Sequence, residues 1–501
     1  MALTKVSYSM IQGASVNVLD YGAVGDGITD DTAAINAALN AIKTTGGTVF
    51  LPKGIYYVPN GINFYNTVSD SANTFRIIGQ GAKESIIKTQ NALVSLDLGG
   101  RNRVHLIEMG IVDSGTTAEV GIARYRENSQ GGDGGGQYHY YENLYMEGKW
   151  SKAAIYSLAS EVNTHVNLEI QQIGSGSAYY TASTNLLNAT LAGTLRVGYT
   201  SNTANTFLGG ALIAGDAAFA GKAVYFGSSA GNFQMFGTYL VATNFVGGGA
   251  IVKFGNDPAD AFIENYNFSG CRFEGYTDAF NITASFVEGL NIQNCVFGQS
   301  VGKDINYTNS SLSVGLNNAF IANNYHKGQG LSIPVITGSR IVVEKSELFS
   351  FSAITINNGN VVRSHIEGSV NITGTTFVYA SVITDVNTSE LRVKYGPNSK
   401  TSAGNDQGSV IVNQPFGTAP VNPLIGTIVT AGASNWDPSS TGTTGNFPVF
   451  YDGSNWREMT TLYATISGPT ATGIKGTLAV DANYLYVCTA ADTWKRIALT
   501  W

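Results

Sequence analysis

The sequence predicts an all-β solenoid, a parallel β-helix, and three observations carry that expectation. Gly supplies 60 of 501 residues and Tyr and Phe 26 and 23, while charged residues reach only 13 %, a β-rich composition with little material for long helices. The stretch NFSGCRFEG (267–275) returns as NIQNCVFG (291–298), 24 residues later, a repeat of solenoid length. Gly270 and Asn294 hold equivalent places in it. Both residue types tolerate a left-handed backbone, so each unit reads as two short strands joined by a tight bend.

Taken in order, residues 1–15 form an N-terminal segment and the solenoid runs from 16 to 396. Ala34, Ile35, Ala38, Leu39 and Ile42 recur at helical spacing after Thr29, Asp30, Asp31 and Thr32, which predicts one amphipathic helix. Such a helix can plug the open end of a solenoid, where strand edges and apolar interior lie bare. Asp26, Asp30 and Asp31 read as turn and helix-cap residues, in preference to a metal cluster. TVFLPKGIYYV (48–58) follows as a strand broken at the Pro52 to Gly54 turn.

The Cys-containing repeat has two apolar residues five positions apart. The same frame is found at Leu106/Ile111, Tyr141/Met146, Leu168/Ile173, Leu240/Phe245, Phe320/Tyr325, Val343/Leu348 and Val361/Ile366, with steps of 28, 24, 28, 23 and 18 residues after Leu240. Stacking places Cys271 and Cys295 in one column, as buried thiols that act as small hydrophobes. Residues 115–138 and 174–239 break the regularity and read as loops or irregular coils. A Gly-, Pro- and Asn-rich linker (397–423) leads to a terminal β domain (424–501), in which Val449/Trp456 and Val487/Trp494 mark two similar hairpins.

The net charge of −7 disfavours nucleic acid as a partner. Neither a signal peptide nor an apolar run long enough for a membrane is seen, and three cysteines fit assembly in a reducing cytoplasm. GxSxG, HExxH, CxxC and P-loop motifs are missing and the five histidines are scattered, so neither metal nor cofactor is expected. Carboxylates are the better candidates. Glycosidic cleavage needs an acid and a base or nucleophile, about 5 Å apart for retention and roughly 6.5 to 9.5 Å for inversion.

Glu264 and Glu288 lie one repeat apart, so they read either as a stacked pair in which like charge raises one pKa, or as two solvated turn carboxylates. The residues flanking each inward aromatic should face outward, giving a polar strip of Arg272, Glu274, Asn324, His326, Glu347, His365 and Glu367. Arg272, Glu274, His326 and Glu347 fit acidic-sugar binding and chemistry, or salt bridges between chains. YHYYENLY (138–145) offers Tyr138 and Tyr140 for stacking on sugar rings beside Arg124 and Arg126, and some of its tyrosines should instead fill the interior. Tyr325, His326 and Lys327 keep elimination open alongside hydrolysis.

The stretch VNVLDYGAVGDGITDDTAAINAALNAIKTTGGTVFLPKGIYYV (16–58) resembles the opening motif of the pectate-lyase-like right-handed β-helix superfamily, where it forms the N-terminal cap. The irregular coils and Trp-containing β tail behind it resemble bacteriophage tailspike depolymerases. That resemblance implies a right-handed solenoid and a homotrimer on the virion, assembled in the host cytoplasm and joined to a phage tail or adaptor protein. It also implies binding to a bacterial capsular polysaccharide and its cleavage. Tailspikes usually carry an N-terminal virion-attachment domain, whereas here the motif begins almost at Met1; either that domain has been lost, or docking runs through another subunit. Carboxylate-catalysed hydrolysis is the expected activity, with uronate elimination or non-catalytic adhesion as alternatives.

Overall fold

Short strands with alternating burial pile up in parallel over much of the chain. The computed structural model describes residues 14–64, 73–126 and 136–182, and shorter runs between 185 and 326, 342 and 388, and 428 and 498. It divides into two units, Met1–Ile356 with Ser364–Ile366, and Asn357–Arg363 with Glu367–Trp501. The division precedes the composition shift at 396.

In the first unit each winding contributes three faces. The first carries strands such as Asn163–Val166, Asn205–Leu208 and Glu264–Ser269. The second carries Glu169–Gln172, Ala211–Ala214, Tyr239–Ala242 and Arg272–Glu274. The third is a nine-stranded parallel sheet running from Ile62–Asn63 to Ser300–Tyr307. Between the first two faces the chain bends through a left-handed residue: Glu108, Asn143, Asn167, Gly209, Gly237, Gly270 and Asn294. The bend expected at Gly270 and Asn294 is thus present, at φ 65° and 54°. Asn167 Nδ2 donates to Asn143 Oδ1 at 2.7 Å, a side-chain rung that helps two non-glycine bends stay left-handed.

The register bears out part of the sequence frame and corrects the rest. Leu106 and Ile111 stack on Tyr141 and Met146, and Phe268 and Phe273 on Ile292 and Phe297. The next partners of Tyr141 and Met146 are His165 and Ile170, not Leu168 and Ile173, followed by Phe207/Leu212 and Met235/Leu240. Further on, Ile292 pairs with Ile321 and Phe297 with His326, a slip of one residue from the expected Phe320/Tyr325. The causes are physical. Outer loops vary freely in length, and a search for apolar pairs cannot see a histidine that serves in the core.

Cys271 and Cys295 are buried neighbours in one column, both free thiols. Their sulfurs lie 3.5 and 3.4 Å from the Met235 and Phe268 carbonyl oxygens. Around them rings form a continuous core, with Phe273 and Phe297 stacked at 5.1 Å. The helix Thr32–Ala41 buries Ala34, Ile35, Ala38 and Leu39. Asp30 accepts from the Thr32 amide at 2.9 Å, while Asp31 ties the Val24 and Gly25 amides at 2.6 and 3.1 Å. Asp26 accepts from the Thr29 and Ile28 amides, and these bonds lower its pKa. All three carboxylates are spent on local backbone, as the sequence indicated.

Part of the 174–239 region is ordered against the solenoid. Leu187, Ala189 and Leu191 pack over Tyr156 and Tyr180 on the outside of the third face, and the Tyr156 hydroxyl donates to Asn185 Oδ1 at 2.7 Å. In the second unit, Asn446–Tyr451 pairs antiparallel with Trp456–Glu458, and Tyr484–Ala490 with Thr493–Ala498, the two hairpins expected. Ala479, Tyr486, Cys488 and Trp494 form a small apolar cluster there.

Candidate functional site

On the second face, strand alternation buries Met146, Ile170, Leu212, Leu240 and Phe273 and turns the residues between them outward. One outward column runs Tyr145, Glu169, Ala211, Tyr239, Arg272 over successive windings. The column two residues further on runs Glu147, Gln171, Ile213, Val241, Glu274.

Two similar groups stand in these columns. In the first, the Tyr145 hydroxyl donates to the Glu147 carboxylate. Lys83 Nζ lies 4.4 Å from the centre of the Tyr145 ring and donates to Glu169 Oε1 at 2.9 Å, an oxygen that also accepts from Gln171 Nε2 at 2.9 Å. In the second, the Tyr239 hydroxyl donates to the Glu274 carboxylate, Arg272 Nε donates to Glu274 Oε1 at 2.8 Å, and the guanidinium lies 5.6 Å from the Tyr239 ring centre. Tyr145 and Tyr239 are three strand spacings apart, about 14 Å, and the two windings between them present Glu169 and Gln171, then Ala211 and Ile213.

The electrostatics fix what these groups can do. Burial, then the Glu147 carboxylate, push the Tyr145 phenol far above its ordinary range; burial and Glu274 likewise raise Tyr239. Both phenols remain protonated donors at neutral pH. Burial also acts to raise Glu169, but the hydrogen bonds from Lys83 and Gln171 outweigh it and leave this carboxyl below its ordinary value. Each group therefore offers a cation and an oriented carboxylate, beside a half-buried ring at Tyr239 and a ring only 9 % exposed at Tyr145. That chemistry suits a ligand with alternating C–H and hydroxyl surfaces.

Of the residues picked from sequence, the structure brings Arg272 and Glu274 together and adds Tyr239. Lys83, Tyr145, Glu147 and Glu169 were missed, although the alternating YENLYMEG run (141–148) carried the signal for the middle two. Glu264 and Glu288 are register partners on neighbouring strands, and each precedes a left-handed residue, Asn265 and Gly289. The side chains of Glu264, Glu288, His326 and Glu347 lie outside the described residues. By register Glu347 extends the Arg272 column through Val296 and Tyr325. Glu264 and Arg272 are eight residues and two bends apart on successive faces of one winding, so the carboxylate pair is separate from the Arg272 group.

Arg124 and Arg126 are corrected as ligand-binding residues, because both are fully buried. Arg124 donates from Nε to Ser157 Oγ at 3.0 Å, from Nη1 to His165 Nε2 at 2.9 Å and from Nη2 to the Tyr179 hydroxyl oxygen at 3.2 Å. Arg126 pairs with Glu161 at 3.1 Å, and Gln137 donates to the same carboxylate. By register His326 pairs with Phe297. Asn324 is buried and accepts from the Cys295 amide at 2.9 Å. The one-residue slip accounts for the burial of Asn324, since it exchanges the two sides of a strand.

Tyr138 is 44 % exposed with the Arg103 guanidinium 5.1 Å from its ring centre. Tyr140 donates to Glu142 at 3.1 Å and lies 5.6 Å from the His105 ring. Tyr141 fills the interior. Among the described residues no cluster of His, Cys, Asp and Glu could hold a metal.

Residues 15–120 match the family described as Rhamnogalacturonase A/epimerase, pectate lyase-like. The chain is 45 % identical to Mannuronan C5-epimerase AlgE1 of Azotobacter vinelandii over 73 residues, 14 % of this chain and 5 % of that protein. It is 48 % identical to Alginate lyase 7 of the same organism over 77 residues, 14 % of this chain and 8 % of that protein. The chain thus spans under a tenth of the length of these two relatives. The solved structure of Geobacillus virus E2 ORF18 aligns over 97 % of this chain and 86 % of that one, at 16 % identity and a TM-score of 0.36.

Proposed function

We propose that this chain is a phage receptor-binding tailspike that binds a bacterial capsular polysaccharide and depolymerises it by carboxylate-catalysed glycosidic hydrolysis. The observation that carries the binding part is the pair of tyrosine–carboxylate–cation groups on one face, about 14 Å apart. A chain of sugars lying across the windings meets the Lys83 and Glu169 group, then Ala211 and Ile213, then the Arg272 and Glu274 group with the half-buried Tyr239. Glu147, Glu169 and Glu274 receive its hydroxyls, and Lys83 and Arg272 its acidic or carbonyl oxygens. Sequence similarity of the first part of the chain to an epimerase and a lyase supports the polysaccharide class of ligand.

On this reading the stacked Glu264 and Glu288 supply acid and base. Their backbone register on neighbouring strands supports that assignment. The adhesin reading is favoured by one feature: the carboxylates of the outward face are each tied to a tyrosine, lysine or arginine, as suits groups that position a hydroxyl without exchanging its proton.

The test uses capsular polysaccharide purified from the host bacterium. Hydrolysis raises reducing ends alone, uronate elimination raises reducing ends and ultraviolet absorbance together, and adhesion raises neither. Glu264→Gln or Glu288→Gln is expected to remove cleavage with binding retained, and Tyr145→Ala with Tyr239→Ala to weaken binding at least about tenfold. Full cleavage in both glutamine variants would discard the stacked pair, and unchanged binding in the tyrosine double variant would discard the face.

A further inference from the structure

At the corner between the first two faces, the bends set two thiols against each other. Cys271 follows Gly270 and Cys295 follows Asn294, both left-handed, and the strands on either side of the corner pair at one offset, Ser269 with Gln293 and Arg272 with Val296. The two cysteines are therefore register partners, about 4.8 Å apart at Cα. Both are free thiols only 1 % exposed, and their side chains hydrogen-bond each other. A disulfide closes over Cα separations of roughly 4.4 to 6.8 Å, so this pair is within reach of one.

The pair is asymmetric. The hydrogen bond from Cys295 lowers the Cys271 thiol; burial opposes this, and the backbone of Thr238, Ser269 and Gly237 adds to it. The same hydrogen bond, and then burial, raise Cys295. Cys271 is thus the one that becomes a thiolate, with Cys295 as its donor. The cover at this corner is also thin. Gly237 and Gly270, the bends of two successive windings, are exposed. A Cβ built at Gly237 would meet nothing within 4 Å, and one at Gly270 would meet only the Gly237 backbone, at 3.8 Å. On this side the wall of the solenoid is bare backbone.

We propose that Cys271 and Cys295 are an oxidation site, at which hydrogen peroxide, small enough to pass the glycine bends, converts the two thiols into a disulfide joining successive windings. The Cys271 sulfur, as thiolate, attacks one peroxide oxygen. The O–O bond breaks, a sulfenic acid forms, and the departing hydroxide takes up the proton that Cys271 released. The Cys295 sulfur then attacks the sulfenic sulfur, the S–O bond breaks, and this second hydroxide takes the Cys295 proton. Two thiols and one peroxide give one disulfide and two waters. The bond closes a loop of one winding, 24 residues long, and holds that winding to the next at its corner.

The test treats the folded full chain, purified under reductant and then freed of it, with hydrogen peroxide; catalase removes the peroxide before the chain is alkylated in denaturant. Peptide mapping without reduction is expected to show the Cys271 peptide linked to the Cys295 peptide, lighter by two hydrogens than the reduced pair. Recovery of both as alkylated thiols, or as separately oxidised acids with no link, would overturn the site. In Cys295→Ser the sulfenic acid at Cys271 has no partner and should be trapped by dimedone, whereas Cys271→Ser should leave Cys295 reduced; the opposite pattern would reverse the assigned order of attack. The linked chain should also unfold at a higher temperature than the reduced one, an increase that dithiothreitol abolishes, and an unchanged midpoint would show that the bond does not staple the windings.

Discussion

Arg126, Glu161 and the two interior histidines show how much a residue's role depends on which side of its strand it occupies. An arginine next to tyrosines in sequence looks available to a ligand, yet inside a winding it is a structural cation that must find its partners there. The buried histidines set a pH dependence whose sign can be worked out. In the unfolded chain a histidine titrates near 6.5, and in the fold both His139 and His165 are held well below that. Above about pH 6.5 the rings are neutral in both states. Below it the unfolded chain binds protons that the folded one refuses, so stability falls by up to about 1.4 kcal/mol per pH unit for each ring. Urea unfolding followed from about pH 7 to pH 5 should show this slope, and replacing His165 by Gln should flatten it; a level profile in the parent chain would refute the argument. Glu169 acts in a lower window, since its depressed pKa supports the fold at neutral pH and is lost only as pH falls through the acidic range.

At the scale of the element, the left-handed bend sets the register of each winding. Gly237 and Gly270 meet it without strain, whereas Asn294 is a non-glycine residue at φ 54°. Asn294→Ala removes a side chain suited to this region and should cost about 1 kcal/mol, while Asn294→Gly should be close to neutral. Thermal unfolding of the two variants compares them directly, and equal destabilisation by both would show that the backbone angle is not what matters there. The same scale explains the misplaced Asn324. Strand side chains alternate with period two, so a frame read one residue early at Phe320 sends a core position to the surface and a surface position to the core.

At the scale of the whole molecule, the tailspike reading expects three chains to associate. Multi-angle light scattering should return three times the chain mass, and a monomer at micromolar concentration would count against the phage assignment and for a free-standing enzyme. Three long parallel faces per winding leave much flat strand surface, which soluble proteins cover or pair. One such surface is already covered by Leu187, Ala189 and Leu191 over the third face. That segment was legible only as an interruption of the repeat, because its packing partners lie outside its own stretch of sequence.

By itself the sequence determined the class of fold, the tight bends and the neighbourhood of residues one repeat apart: Cys271 with Cys295 and Glu264 with Glu288. These follow from local chemistry, since residue types that permit a left-handed bend and a fixed side-chain period recur wherever the chain turns. It could not determine which face a given strand residue takes once outer loops change the winding length from 24 to 42 residues. Only the tertiary structure decided that Arg124 and Arg126 are interior, that Tyr145 and Tyr239 share a column, and that Lys83 reaches across to Glu169. Such groupings depend on long-range register, the sum of every loop length between the partners, and no local pattern carries that sum.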